Sequence, residues 1–145
     1  MDEAANLVKS VDVGAEILRV FIVDDSATFR RLIRAALESS PFIEVVGIAA
    51  SAEEALMSIS DVRPQVVIVD LTMPGAGGLQ LLRALRQSLQ IPAVIVSANS
   101  DPSSVQQACA IGQCAFVAKP KSPFEQPDFR AQLISAVKEA GDRPS

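Results

Sequence analysis

The fold is decided by a short stretch in the middle of the chain, Gln65-Val66-Val67-Ile68-Val69-Asp70. Four apolar, mostly β-branched residues lead to one acid, a pattern typical of a strand buried on both faces of a parallel sheet. The proline and glycines that follow, from Pro74 to Gly78, predict a loop. Asp70 is therefore expected at the carboxyl end of a central strand, where open α/β sheets bind their ligands.

Four other short apolar runs show the same pattern, and each is followed by a segment with helical spacing. The runs cover residues 17–23, 43–48, 93–96 and 115–118. Strands that alternate with helices predict a parallel sheet covered on both faces. With right-handed crossovers, the expected fold class is α/β, a flavodoxin-like (βα)5 doubly wound five-stranded sheet in the order 2-1-3-4-5.

Several residues predict where the helices begin and which side chains face inward. Ser26 is expected to cap the first helix, whose inward stripe starts at Phe29. A capping box is predicted at Ser51 and Glu54, with Leu56 among the inward residues of the second helix. The last helix is expected to start at an Asp128 cap and to end at Gly141.

The length of 145 residues fits one domain. We expect an N-terminal tail at 1–15, a domain at 16–141 and a C-terminal tail at 142–145. The net charge of −4 argues against nucleic-acid binding, and no apolar run approaches the roughly 20 residues of a membrane span. Residues 1–13 lack the basic region of a secretory signal. Cys109 and Cys114 have neither a redox nor a zinc spacing, so we expect reduced thiols and a cytoplasmic protein.

The sequence contains no histidine. This excludes catalysis by Ser-His-Asp or Cys-His groups within these residues, zinc sites built on histidine, and a phosphohistidine carrier role. The chemistry of the chain must therefore depend on carboxylates, hydroxyls and amines.

Polar side chains follow four of the five predicted strands. Asp24 and Asp25 follow the first, Asp70 the third, Ser97 the fourth and Lys119 the fifth. The second strand, predicted at the edge, is followed only by alanines. Because the four other strands are neighbours in the expected order, their polar residues meet along one edge of the sheet.

Three carboxylates in one crevice repel each other unless a cation joins them. Oxygen ligands without histidine or cysteine indicate Mg²⁺. We expect Asp25 and Asp70 to bind it directly, Asp24 to act through water, and the Thr72 backbone carbonyl to supply a further oxygen.

A carboxylate can accept a phosphoryl group as an acyl phosphate, and this is the chemistry we predict for Asp70. The Lys119 ammonium and the Ser97 hydroxyl are expected to bind the phosphoryl oxygens. Taken singly, each residue has a structural interpretation: a helix cap for the Asp24-Asp25 pair, a surface turn for Lys119. Their joint placement favours a site.

The motifs as a set resemble a response-regulator receiver domain. The segments that carry the resemblance are Val23-Asp24-Asp25-Ser26, Val69-Asp70, Met73-Pro74, Ser97-Ala98 and Phe116-Val117-Ala118-Lys119-Pro120. The resemblance implies Mg²⁺-dependent transfer to Asp70 from a phosphohistidine on a sensor kinase, self-catalysed and followed by autodephosphorylation. It also implies that Ser97 and Phe116 rearrange on phosphorylation and remodel a helix 4–strand 5–helix 5 face. A cis bond at Lys119-Pro120 and a role for Thr72 and Asn99 in phosphoryl lifetime are further implications.

More narrowly, the chain resembles the receiver domain of CheB-type chemotaxis methylesterases. Arg19 to Ser26, Glu44-Val45-Val46-Gly47 and Ala115 to Pro120 carry that likeness. It implies a CheA-like histidine kinase as donor and a downstream effector domain or protein as partner, and a homodimer stays open. The chain is expected not to be an enzyme in its own right, because these residues contain no esterase motif.

Two alternatives remain open. One is a stand-alone receiver or pseudo-receiver outside chemotaxis that acts only as an interaction module. The other is a Mg²⁺-dependent phosphatase with an aspartate nucleophile. It is disfavoured because Thr72 stands where such an enzyme needs a general acid.

Overall fold

A computed structural model describes residues 17–74, 77–98, 102–111 and 115–142 of the chain. Strands and helices alternate along it. They are β1 Leu18–Val23, α1 Ala27–Glu38, β2 Ile43–Ala49, α2 Ala52–Val62, β3 Val66–Val69, α3 Gly77–Ala84, β4 Ala93–Ser97, α4 Pro102–Ile111, β5 Phe116–Ala118 and α5 Gln126–Asp142. A π-helical turn at Leu85–Leu89 extends α3, and a 3-10 turn at Pro123–Glu125 leads into α5.

The five strands form one parallel sheet in the order β2-β1-β3-β4-β5. This confirms the predicted fold class and strand order. The central strand β3 pairs with β1 on one side and β4 on the other, with Val69 opposite both Val23 and Ile95. β1 therefore ends level with β3, and β4 continues two residues further, to Ser97.

The sheet is buried on both faces because alternate strand residues point into two separate apolar cores. Ile68 lies in the core beneath α1 and α5, and its neighbours Val67 and Val69 lie in the core beneath α2, α3 and α4. All four residues of β3 have no exposed surface. Each such side chain contributes about 1.5–3 kcal/mol of apolar burial, so Asp70 directly follows a strand that is anchored on both faces.

The first two helices begin at the predicted caps. Ser26 Oγ accepts a hydrogen bond from Phe29 N–H at 3.3 Å, and Ser51 Oγ accepts one from Glu54 N–H at 3.1 Å. The predicted capping box is wrong in one respect, because the Glu54 carboxylate accepts from Ala50 N–H rather than from Ser51.

The inward stripe predicted for α2 is too wide. Leu56 is 40% exposed, whereas Ala55 and Ile59 are fully buried. Because α2 lies over the edge strand β2 and its neighbour β1, one narrow stripe is enough to cover the sheet there.

The loop predicted after β3 is shorter than expected. Gly77 and Gly78 begin α3 instead of extending the loop, and residues 75–76 lie outside the described residues. Helix spacing resumes here because Gly78, Leu81, Leu82 and Leu85 all turn a buried face toward the sheet.

Both predicted ends of the last helix are wrong. The helix starts at Gln126, because the 3-10 turn at Pro123–Glu125 runs directly into it, so that Asp128 lies within its first turn. It also continues through Gly141 to Asp142. A Cβ atom on Gly141 would lie 2.6 Å from Leu18 Cδ1, so this glycine permits close packing on β1 rather than ending the helix.

One further prediction is wrong, and several others concern residues outside the described ranges. The Lys119–Pro120 bond is trans, as are all described peptide bonds, in line with the usual preference of bonds before proline. The predicted tail at 1–15, Asn99, Cys114 and the side chain of Cys109 lie outside the described residues. In the ranges that the structure does describe, no helix has both the length and the apolar character needed to cross a bilayer.

Candidate functional site

The candidate site lies at the carboxyl edge of the sheet, where the backbone pairing continues one residue past each strand. Asp70 N–H donates to Val23 O and Lys119 N–H donates to Ser97 O, each at 3.1 Å. The backbone of each of these two residues is therefore fixed by a hydrogen bond to the neighbouring strand. Asp24, Asp70, Ser97 and Lys119 are all buried there, while Asp25 is exposed.

The Asp24 carboxylate is held at the start of α1. Its Oδ1 accepts a 2.8 Å hydrogen bond from Ser26 N–H, and Arg30 Nη1 donates to its backbone carbonyl at 2.6 Å. Burial raises the pKa of the Asp24 carboxyl above the ordinary aspartate value of 3.8, and the charge on Asp70 adds to this. The Lys119 ammonium and the Ser26 N–H oppose the rise in pKa. Keeping the Asp24 carboxylate ionised in the folded protein therefore costs stability.

The Asp70 carboxylate is contacted on both oxygens. Thr72 donates to Oδ1 twice, from its N–H at 2.9 Å and from its hydroxyl at 2.7 Å. Lys119 Nζ donates to Oδ2 at 3.2 Å. Behind the carboxylate, a Cβ atom on Gly78 would lie 2.8 Å from the Asp70 carbonyl oxygen, so the start of α3 packs directly on the end of β3.

Lys119 joins the ends of β1, β3 and β5. Its ammonium nitrogen lies 2.7 Å from Asp24 Oδ2 and 3.2 Å from Asp70 Oδ2, and only 4% of its side chain is exposed. In water such an ion pair contributes little, but burial removes the screening. The lysine therefore offsets the repulsion between the two buried carboxylates.

The aromatic ring of Phe29 lies on the same ammonium. The centroid of its ring is 4.2 Å from Lys119 Nζ. Phe29 was predicted as the first residue of the inward stripe of α1, yet it belongs to neither apolar core. The prediction failed because the first turn of α1 starts at the edge of the sheet, so an inward residue there faces the site.

The acidic residues fit a hard divalent cation. One oxygen from each of Asp24, Asp25 and Asp70 lies within 4.8 Å of the other two. Asp24 Oδ2 is buried and accepts no hydrogen bond from the described residues, although the Lys119 ammonium is close to it. An all-oxygen set with a free lone pair and an exposed third carboxylate suits Mg²⁺, which keeps several waters.

The two residues predicted to act as a switch lie on the neighbouring strands. Ser97 is the last residue of β4 and is fully buried, opposite Ala118 of β5. Phe116 begins β5 and packs, half-buried, against the core that contains Ile95 and Ala108. Both therefore lie on the side of the site where β4, β5 and α4 meet.

Sequence reasoning missed three of these contacts. The Thr72 hydroxyl was assigned no contact with Asp70, although a hydroxyl two residues after an aspartate is well placed for a local hydrogen bond. The contact of the Phe29 ring required the position of Lys119, which follows a strand some 90 residues later in the chain. The contact of Arg30 with the Asp24 carbonyl is local, but it depends on the rotamer of a long side chain.

Comparison with known proteins identifies the family of the chain. Residues 20–131 match the family model described as the response regulator receiver domain. The chain is 39% identical over 126 residues to the protein-glutamate methylesterase/protein-glutamine glutaminase 1 of Myxococcus xanthus, covering 86% of this chain and 36% of that protein. The chain thus spans about a third of the length of this curated relative.

Solved structures share the fold. The response regulator domain of Thermotoga maritima CheB superposes with a TM-score of 0.80 at 24% identity, covering 90% of this chain and all of that domain. The signal receiver domain of the response regulator NarL, described as putative, from Mycobacterium tuberculosis gives a TM-score of 0.74 at 32% identity, covering 88% of this chain and 99% of that one. From the family match, the strand order and the acidic cluster, the chain belongs to the response regulator receiver domain family.

Proposed function

We propose that this protein is a phosphorylation-activated switch of a two-component system, in which Asp70 accepts a phosphoryl group from a phosphohistidine of a sensor kinase. One observation carries the proposal. Asp70, only 1% exposed, lies at the tip of the central strand with an ammonium 3.2 Å away and two more carboxylates beside it. We take residues 16–141 as the receiver domain and place the reaction in the cytoplasm.

In the transfer, a carboxylate oxygen of Asp70 forms a bond to phosphorus and the bond from phosphorus to the histidine nitrogen breaks. The electron pair of that bond stays with the imidazole. The Lys119 ammonium, 3.2 Å from Asp70 Oδ2, is close enough to donate to a phosphoryl oxygen there, and its charge stabilises the transferring group. A bound Mg²⁺, held by Asp24, Asp25, Asp70 and the Thr72 carbonyl, would neutralise further charge on the phosphoryl oxygens.

The phosphoryl group is then lost by hydrolysis. Water attacks phosphorus, the bond to the Asp70 oxygen breaks, and phosphate leaves the restored carboxylate. Thr72 lies beside this bond, because its hydroxyl is 2.7 Å from Asp70 Oδ1. Its position supports the expected influence of this residue on phosphoryl lifetime.

The output of the switch follows from the placement of Ser97 and Phe116. A phosphoryl oxygen on Asp70 draws the Ser97 hydroxyl toward it, and the space that this vacates lets Phe116 move further inward. The surface of α4, β5 and α5 then changes, and an effector domain or protein reads the change. The methylesterase relative supports a CheA-like kinase as donor and a methylesterase as output, in chemotaxis.

One experiment tests the acceptor. The protein is incubated with acetyl phosphate and Mg²⁺, and its intact mass is measured. We expect one added phosphoryl group, which does not form when the metal is chelated beforehand and is absent from Asp70→Asn. Asp61→Asn, which changes an exposed aspartate of α2, is the matched control and should be phosphorylated normally. Phosphorylation of Asp70→Asn at the wild-type rate would refute the assignment.

A second experiment distinguishes the chemotaxis output from a stand-alone receiver. Radiolabelled phosphoryl transfer is timed from a panel of phosphorylated sensor kinases, CheA-like ones included. Fastest transfer from a CheA-like kinase supports chemotaxis, and fastest transfer from another kinase supports the alternative. Turnover of a phosphomonoester would instead favour a phosphatase, which the engaged Thr72 hydroxyl argues against.

A further inference from the structure

The Phe29 ring is unusual among the aromatic residues of the sheet and its helices. It is half-buried in the first turn of α1, yet it packs in neither apolar core. The Lys119 ammonium lies over the ring, 4.2 Å from its centroid. A ring in that position contributes its π face to a charged group rather than its area to a core.

The ammonium of Lys119 has three N–H donors and no acceptor. Asp24 Oδ2 and Asp70 Oδ2 lie on two sides of it, and the Phe29 ring lies on another. With 4% of the side chain exposed, water has little access to the remaining side. The ring thus stands where water would otherwise solvate the charge, and its quadrupole attracts the cation.

We infer that Phe29 is a positioning residue for phosphoryl transfer, whose ring face holds the Lys119 ammonium beside the acceptor carboxylate and keeps it dry. The inference rests on the proposed function of Asp70. A dry, fixed ammonium stabilises the charge of a transferring phosphoryl group more strongly than a hydrated one. An aliphatic side chain of similar size would fill the space but would not attract the cation.

The chain contains a matched pair for comparison. Lys138 Nζ lies 5.8 Å from the centroid of the Phe42 ring, on a surface where Phe42 is 44% exposed. This second cation–π pair lies between the end of α5 and the turn before β2, away from the acidic cluster. Phe42→Leu therefore removes the same kind of contact without touching the site.

The test replaces the ring at position 29 alone with phenylalanine carrying one, two and three fluorine atoms, which weaken the π face while keeping the ring's shape. The rate of phosphorylation by acetyl phosphate with Mg²⁺ is measured for each. We expect a graded fall reaching about threefold to tenfold for the trifluorinated ring, in proportion to the usual strength of a buried cation–π contact. Phe29→Leu should fall at least as far, Phe29→Tyr should keep the rate, and Phe42→Leu should leave it unchanged.

A second readout does not depend on phosphorylation or metal. The side-chain resonances of Lys119 are recorded by NMR in the metal-free protein, where the ring should shift them upfield. Phe29→Leu should remove this shift and Phe29→Tyr should restore it, with thermal melts confirming that the variants are folded.

The outcomes separate the two claims. If the wild type accepts no phosphoryl group, the proposed function fails and the inference fails with it. If the wild type is phosphorylated but the rate is flat across the fluorinated series, only the role of Phe29 is overturned. A Lys119 spectrum that is the same in Phe29→Leu as in the wild type would also overturn it.

Discussion

The end of β2 and the ends of the central strands β1 and β3 use polar residues in opposite ways. After β2, the chain continues through Ala50 into α2, where the Ser51 and Glu54 side chains accept hydrogen bonds from backbone N–H groups at the helix start. After β1 and β3, Asp24 and Asp70 are buried, and their negative charges repel each other. The polar residues after the edge strand stabilise the fold, whereas burying the two carboxylates after the central strands lowers the stability of the protein.

This difference shows how a site can be recognised physically. A buried carboxylate costs several kcal/mol unless a partner offsets it, and a protein has no structural need for two of them side by side. Lys119 offsets the cost in part, and the raised pKa of Asp24 indicates that the offset is incomplete. The remaining cost is the sign that the cluster serves binding or chemistry.

The largest effect on stability should come from removing the Lys119 ammonium, which pairs with both buried carboxylates. Lys119→Met leaves Asp24 and Asp70 buried without a cation, so we expect a loss of about 3–5 kcal/mol in the free energy of unfolding without divalent ions. Urea unfolding at neutral pH measures it. The control Arg34→Met breaks a half-exposed pair with Glu38 and should cost about 0.5 kcal/mol at most. Equal losses for the two variants would show that the buried cluster carries no special cost.

The next prediction compares alanine substitutions at two adjacent glycines, Gly77 and Gly78. An alanine at position 78 would bring its Cβ within 2.8 Å of the Asp70 carbonyl, so Gly78→Ala should destabilise by about 1–3 kcal/mol and slow phosphorylation. Gly77→Ala meets only the Ala52 methyl at 3.7 Å, and it should be neutral or stabilising by up to about 1 kcal/mol. Thermal unfolding and acetyl phosphate kinetics on both variants decide it. A Gly78→Ala protein that behaves like Gly77→Ala would mean that α3 does not set the position of β3.

A third prediction concerns pH. Because the folded-state pKa of Asp24 is raised above 3.8, the unfolded chain loses this proton first, and metal-free stability falls as the pH rises from about 3.8 through the raised pKa. Asp24→Asn removes this loss, so its stability relative to wild type should increase with pH across that window. Urea midpoints in chelator measure the difference. A wild-type advantage that grows with pH would contradict the raised pKa.

The smallest effect should come from removing the Thr72 hydroxyl, which donates a hydrogen bond to the Asp70 carboxylate. Thr72→Val keeps the shape but removes the 2.7 Å bond to Asp70 Oδ1, so we expect a loss of about 0.5–1.5 kcal/mol in metal-free unfolding. Thr28→Val, on the exposed face of α1, is the control and should change stability little. If the two variants cost the same, the Thr72 hydroxyl is not bonded to the acceptor in solution.

Much of the fold could be predicted from the sequence because its signals are local. The β-branched run at 66–69 and the alternation of strands and helices determine a doubly wound sheet, and the observed order is the predicted one. Helix ends were predicted less well. Asp128 and Gly141 have the residue types of helix ends, but contacts with the preceding 3-10 turn and with Leu18 decide their positions.

The site could be predicted as a set of residues but not as a geometry. Asp24, Asp25, Asp70 and Lys119 meet because parallel strands place their carboxyl ends on one edge. Which group contacts which oxygen depends on rotamers and on packing between distant segments, which no pattern in the sequence encodes. The contact between Phe29 and Lys119 is the clearest example, since the spacing of α1 predicts a core residue there.

The central claim is that Asp70 is the phosphoryl acceptor, and the most direct measurement locates the acyl phosphate itself. The protein is phosphorylated with acetyl phosphate and Mg²⁺, reduced with borohydride, which converts an acyl phosphate to an alcohol, and digested for peptide mass spectrometry. We predict reduction at Asp70 alone, dependent on the donor and on the metal. Reduction at Asp24 or Asp25, with Asp70 unmodified, would contradict the account.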